Sequence, residues 1–107
     1  MPSNHDDLFK TLADPTRRAI FERLCLDGEQ TVGALTAQAG ISQPAVSKHL
    51  GILKQAGLVL DRPDGRQTHY RAQPAALVPL TDWTHQMAGF WRRRIDDLED
   101  LVKRMDQ

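Results

Sequence analysis

Two helical patterns in this chain are separated by only three residues, Gly40, Ile41 and Ser42. Before the junction Val32, Leu35 and Ala39 form an inner face, with Thr31 placed to cap the segment. After it, a second pattern runs from Ser42 to about Ala56 and closes at Gly57. Gly40 supplies the left-handed residue that stops the first helix, and the Ser42 hydroxyl caps the second. Thr36, four residues before the glycine, is small enough for close helix approach. Ile41 is apolar, and Val46, six residues after Gly40, fills the angle between the helices. The expected geometry is a helix-turn-helix over residues 31–56.

The flanking segments extend this unit. A short apolar stretch from Asp7 to Ala13 places Leu8, Phe9 and Leu12 on one side, and Asp14-Pro15 then starts a helix to about Leu26 that buries Ile20, Phe21 and Leu24. Beyond Gly57 the period becomes extended. Leu58 to Leu60 reads as a strand, Arg62-Pro63-Asp64-Gly65 as a turn, and Gln67 to Arg71 as the returning strand, giving a hairpin, or wing, over 58–72. Pro74 and Pro79 bracket one helical turn. A terminal helix then covers roughly residues 80–105, with Leu80, Trp83, Met87, Phe90, Trp91, Leu98, Leu101, Val102 and Met105 at spacings of three and four. The expected fold is mainly α, about five helices with a small β-hairpin, in a single domain over residues 1–107.

Fourteen basic residues balance fourteen acidic ones, which taken alone argues against nucleic acid as a partner. The balance is uneven along the chain. Residues 1–30 hold four basic and six acidic groups. Between Ile41 and Arg71, Lys48, Lys54, Arg62, Arg66 and Arg71 face only Asp61 and Asp64, a net of +3. At about 100° per residue from Gln43, the positions Gln43, Lys54, Ser47, Gly51, Gln55 and Lys48 fall within about 140° of arc, opposite Ala45, Val46, His49, Leu50, Ile52, Leu53 and Ala56. The polar face holds amides, a hydroxyl and ammonium groups but no carboxylate. Such a face can lie against phosphates and acceptor-rich base edges. Gln43 can bond an adenine edge bidentately, Ser47 several bases, and Lys48 a guanine or a phosphate.

Ala13-Asp14-Pro15-Thr16-Arg17-Arg18, Ile41-Ser42-Gln43-Pro44-Ala45-Val46-Ser47-Lys48-His49-Leu50, Leu53-Lys54-Gln55-Ala56-Gly57-Leu58-Val59 and Asp64-Gly65-Arg66 through Tyr70 together resemble the ArsR-type winged-helix transcriptional regulators. The likeness spans nearly the whole chain, including Asp82-Trp83 and Phe90-Trp91. Thr36 departs mildly from a pattern that more often has Ala. The resemblance implies a homodimeric repressor on a palindromic operator in double-stranded DNA. It also implies that Thr31 and Ser42 meet the DNA backbone and that Gln43, Ser47 and Lys48 face the major groove. The wing, with Arg62, Arg66, Gln67 and His69, would lie along the flanking minor groove or phosphates, and Lys54 completes the expected DNA-binding set.

Dimerisation also follows from the residues themselves. A long helix carrying Trp83, Phe90 and Trp91 exposes more aromatic surface than a monomer this small can cover. Pairing of the first and last helices with a second copy would bury it, through Leu8, Leu12, Leu80, Trp83, Met87, Phe90, Trp91 and Leu98. The competing arrangement folds the last helix back on its own core. The mixed charges of Arg92 to Asp100 read as a solvated face.

Neither metal site of the resembled family is expected. The arsenic and cadmium type uses Cys-x-Cys where this chain has Thr31-Val32-Gly33-Ala34-Leu35. The zinc type pairs Asp-x-His with a later His-x-x-Glu, whereas Asp82 and His85 are three apart and no histidine follows. A metal could be held only by His5, Asp82 and His85 across a dimer, and no cofactor is expected. His49 falls on the apolar arc as a packed, hydrogen-bonded residue. Cys25, the single cysteine, excludes an intramolecular disulfide and is expected to pack as a small hydrophobe. No nucleophile is paired with a histidine and no phosphate loop is present, so an enzyme is not expected. No apolar run approaches about 18 residues, and the polar start Met1 to Asp7 lacks a secretory core, so a cytoplasmic location is expected. Two alternatives stand beside the repressor: a winged-helix protein-interaction module without specific DNA binding, and a metal- or thiol-gated repressor. The sequence names no inducer.

Overall fold

The second, third and fourth helices each begin at a side-chain oxygen that takes up an otherwise unpaired backbone N–H. In the computed structural model, which describes residues 5–106, helix α1 spans His5–Ala13 and α2 Pro15–Asp27. The Asp14 carboxylate accepts from Arg17 N at 2.9 Å and Pro15 fills the first turn of α2. Helix α3, Val32–Ala39, starts at Thr31, whose Oγ1 accepts from Ala34 N at 3.1 Å, and ends at Gly40 in the left-handed region at φ 69°. Helix α4, Gln43–Gln55, starts at Ser42, whose Oγ accepts from Ala45 N at 3.3 Å. The helix-turn-helix stands where the sequence places it. Of the polar chain start, residues 1–4 lie outside the described residues.

The wing differs in detail. Strand β2 runs Val59–Asp64 and β3 Gln67–Ala72, paired antiparallel with Asp64 opposite Gln67, so the loop is Gly65-Arg66 rather than Arg62 to Gly65. Gly65, at φ 62°, takes the positive φ that a two-residue hairpin loop requires. Pro63 lies inside β2, opposite Thr68. It is tolerated because the sheet order is β1-β3-β2, which leaves β2 on an edge where a missing N–H interrupts no ladder. The third strand, β1 at Gln30–Thr31, pairs with Tyr70 and His69 of β3 and is absent from the sequence expectation.

One core joins these parts. Leu8 of α1, Ile20, Phe21 and Leu24 of α2, Leu35 of α3, Val46, Leu50 and Leu53 of α4, and Leu58 with Val59 at the wing base are buried together. Val46 is fully buried in the helix-turn-helix angle. Leu8, expected at a dimer interface, is 1 % exposed and belongs to this core. On α1 the outward residue is its neighbour Phe9, 42 % exposed. Leu12 and Leu80 are partly buried against the same core.

After a 3-10 turn at Pro74–Leu77, α5 extends over Val78–Met105, with Pro79 inside its first turn rather than before it. Its first half packs on α1, where Phe9 meets Trp83 edge-on at 5.2 Å between ring centres. It does not fold back on the core. From Phe90 to Met105 every described side chain is exposed, including Phe90, Trp91, Leu98, Leu101, Val102 and Met105. Ile95, missed in the sequence reading, completes a 3-4 spacing of Trp91, Ile95, Leu98, Val102 and Met105 along one side.

Candidate nucleic-acid interface

Burial divides α4 as its periodicity requires. Val46, Leu50 and Leu53 are buried, whereas Gln43, Ser47, Lys48, Gly51, Lys54 and Gln55 are exposed. His49 is half-buried at the seam with α2, its Nδ1 3.4 Å from Arg17 Nη1, and Arg17 Nε in turn donates to the Thr11 carbonyl at 2.6 Å. The first contact ties α4 to α2 and the second ties α2 to α1.

The start of α3, the start of α4 and the wing tip converge on a hollow of about 290 Å³, lined by Thr31, Val32, Gly33, Gln43, Ser47, Arg66, Gln67 and Thr68. Five residues of the expected DNA-binding set therefore meet in one place: Thr31, Gln43, Ser47, Arg66 and Gln67. Val32, Gly33 and Thr68 lie outside the expected set. Thr68 was legible in principle, because it alternates with Tyr70 and Ala72, which pack against the core, and so points to the helix side of the sheet. Ser42, the cap of α4, and Lys48 on α4 do not line the hollow but adjoin Gln43 and Ser47 in sequence.

Lys54, Arg62 and His69 of the expected set stand elsewhere, each beside a carboxylate. Lys54 Nζ donates to Asp61 Oδ2 at 3.0 Å. Arg62 Nε donates to Glu29 Oε1 at 2.9 Å, and its Nη1 lies 3.8 Å from Asp64 Oδ2. His69, directly opposite Arg62 across the hairpin, lies 3.9 Å from Glu29 and 3.6 Å from Asp64. Residues 62 and 69 share the outer face of the sheet, the parity opposite to Thr68. Lys54 and Arg62 are thus the paired cations of the segment, and its excess of +3 falls on Lys48, Arg66 and Arg71. Of the five basic residues between Ile41 and Arg71, Lys48, Arg66 and Arg71 have no ion-pair partner among the described residues, and Arg66 lines the hollow.

A helix-turn-helix domain family matches residues 12–62, the span from the end of α1 into β2. The HTH-type transcriptional regulator Rv2034 of Mycobacterium tuberculosis is 46% identical over 90 residues, covering 79% of this chain and 83% of that protein. The arsenical resistance operon repressor of Escherichia coli K12 is 46% identical over 99 residues, covering 92% and 81%. An ArsR-like transcriptional regulator from Rhodococcus sp. RHA1 superimposes with a TM-score of 0.74 at 29% identity, covering 90% of each chain. The chain belongs to the ArsR-type winged helix-turn-helix regulators.

The ArsR-type regulators are a family of regulators rather than enzymes. Cys25 corrects the sequence expectation: it is exposed on α2, not packed as a small hydrophobe. Partial desolvation and the Glu22 carboxylate push its thiol above the ordinary value, which keeps it protonated and poorly nucleophilic. His5 stacks on Trp83 at 6.3 Å and meets Phe9 edge-on at 6.1 Å. Among the described residues no three His, Cys, Asp or Glu side chains gather into a group able to hold a metal ion. No helix among them is long and apolar enough to cross a membrane.

Proposed function

We propose that this ArsR-type regulator is a homodimeric transcriptional repressor that binds a palindromic operator. The observation that carries the reading is the hollow where the carboxylate-free face of α4 meets the wing tip. Gln43 and Ser47 read base edges in the major groove, and Lys48 reaches a guanine or a phosphate. Thr31 and Ser42 already accept cap bonds through their oxygens, which leaves each O–H to donate to a backbone phosphate. Arg66 and Gln67 follow the flanking minor groove or phosphates. Lys54 and Arg62, which stand outside the hollow, contribute less because neighbouring carboxylates offset their charge, and His69 lies beside the same carboxylates as Arg62.

The second copy covers the aromatic stripe. Trp83, Met87, Phe90, Trp91 and Leu98 of α5, with Ile95, Val102 and Met105 extending them, face the partner, while Leu12 and Leu80 back the seam from the core side. A helix end exposed on all sides gains little from its own hydrogen bonds in water and needs such packing. Two-fold symmetry then sets the two α4 helices about one DNA turn, roughly 34 Å, apart. A repressor of this kind works in the cytoplasm, where the operator is. The names of the Escherichia coli and Mycobacterium tuberculosis relatives, a repressor and a transcriptional regulator, support the assignment.

Selection of bound duplexes from a random pool tests it. The expected product is a two-fold symmetric site with half-sites about one helical turn apart. A stable dimer that enriches no sequence would instead favour a protein-interaction module.

A further inference from the structure

On another face of the molecule, α2 and α3 leave between them a second hollow of about 300 Å³, which shares no lining residue with the one beside the wing. Ile20 and Leu35, 4 % and 2 % exposed, belong to the hydrophobic core and form its floor. Around them stand Thr16, Arg23 and Gln38, a hydroxyl, a guanidinium and an amide. Arg23 is the one ionised group of the lining, and no carboxylate lines the hollow. The volume lies at the lower end of small-molecule sites, and the composition, an apolar base with a few converging polar groups, is theirs.

Charge complementarity selects the occupant. A neutral hydrocarbon would leave the rim unused, and a cation would meet the guanidinium. A carboxylate on a compact apolar body satisfies both parts, its oxygens reaching Arg23 and Gln38 while the body covers Ile20 and Leu35. Arg23 Nη1 also donates to Asp27 Oδ2 at 3.2 Å, but that pair sits one helical turn apart with both side chains about half exposed. Such a pair is weak, and a guanidinium has donors to spare.

We propose that the α2–α3 hollow is a binding site for a small monocarboxylic acid carrying one ring or a short alkyl chain, and that occupancy changes operator affinity. The second clause rests on the operator-binding function proposed above; the first does not. The occupant touches α2 and α3 together, and α3 leads through three residues into α4, the recognition helix. An acid that fits one seating of α3 better than the DNA-bound one is coupled to DNA by the difference of the two affinities.

Titration of the ¹⁵N-labelled full chain with benzoate and hexanoate, and with benzamide as the uncharged counterpart, tests the site. Expected are saturable shifts at the amides of Thr16, Ala19, Arg23, Leu35 and Gln38, with benzoate preferred over benzamide by about tenfold. Arg23→Gln should remove that preference. Ala19→Leu, at an exposed position on the rim, should abolish the shifts while leaving the melting temperature and acid-free operator binding unchanged. Shifts with neither acid, shifts gathered instead at Lys48 and Arg66, or binding that survives Ala19→Leu would overturn the site. Acid bound in the hollow with operator affinity unmoved overturns the regulatory clause alone. A chain that binds no operator even without acid refutes the function proposed above and leaves the site standing on the titration.

Discussion

Arg62 Nε donates to Glu29 Oε1 at 2.9 Å, so the wing is tied to the bend that precedes β1 and a wing cation is held by a carboxylate 33 residues away in sequence. The pair is partly exposed, and His69 lies against the same carboxylate. Glu29→Gln keeps the shape and removes the competing charge. Non-specific DNA affinity should rise, and the slope of log K against log salt should steepen by about 0.9, the contribution of one more neutralised phosphate. Salt titration of fluorescence anisotropy reads both. An unchanged slope would show that Arg62 makes no phosphate contact.

Asp14 gives a pH dependence with a defined sign. The backbone N–H of Arg17 holds its carboxyl below the ordinary carboxylate value, opposed by desolvation and helped by the charges of His49 and Arg17. A carboxyl lowered in the folded state contributes stability above its unfolded pKa and loses that contribution as pH falls through the folded one. Asp14→Ala should therefore lower the melting temperature at pH 7, and the gap to the native chain should close in the acid range below ordinary carboxylate values. Asp14→Asn, which caps through its amide oxygen, should retain most of the stability without that dependence. Thermal melts across pH check it.

Two apolar substitutions separate the core from the proposed dimer surface. Leu50 is fully buried, so Leu50→Ala should cost about 2–5 kcal/mol of folding stability. Trp91 is 69 % exposed, so Trp91→Ala should leave the fold of the chain intact and shift sedimentation of the proposed dimer toward monomer at micromolar concentration. A Trp91→Ala chain that stays fully dimeric would remove Trp91 from the interface.

The raised Cys25 thiol makes a thiol-gated mechanism testable. Alkylation by iodoacetamide at pH 7 should be slower than for a cysteine in an unstructured peptide, and Cys25→Ser should leave DNA binding unchanged. Faster alkylation, or operator release on oxidation, would favour thiol gating.

The helix-turn-helix was legible because its determinants are local. Thr31, Gly40 and Ser42 act within one turn of where they stand, and Val46 sits at a fixed distance from the junction. What escaped depends on partners distant in sequence. The residues Pro63-Asp64-Gly65 read as a turn, but β2 is an edge strand and can carry Pro63, which moves the loop to Gly65-Arg66. The two-residue β1 exists only through its pairing with β3. Period alone could not tell which of Leu8 and Phe9 enters the core, since that depends on how α1 seats against α2 and α5. The same limit applies to charge. Summing Ile41 to Arg71 located the positive segment, but Glu29 lies outside it in sequence and against it in space.

The most direct test of operator reading by α4 and the wing is the salt-dependent affinity of the native chain, Gln43→Ala and Arg66→Ala for the selected site and for single-base variants of it. Gln43→Ala should lose about 1–3 kcal/mol of discrimination at one base pair of each half-site while keeping the salt slope. Arg66→Ala should weaken all sequences alike and reduce the slope by about one. If both variants bind every sequence as the native chain does, the surface that reads DNA lies elsewhere.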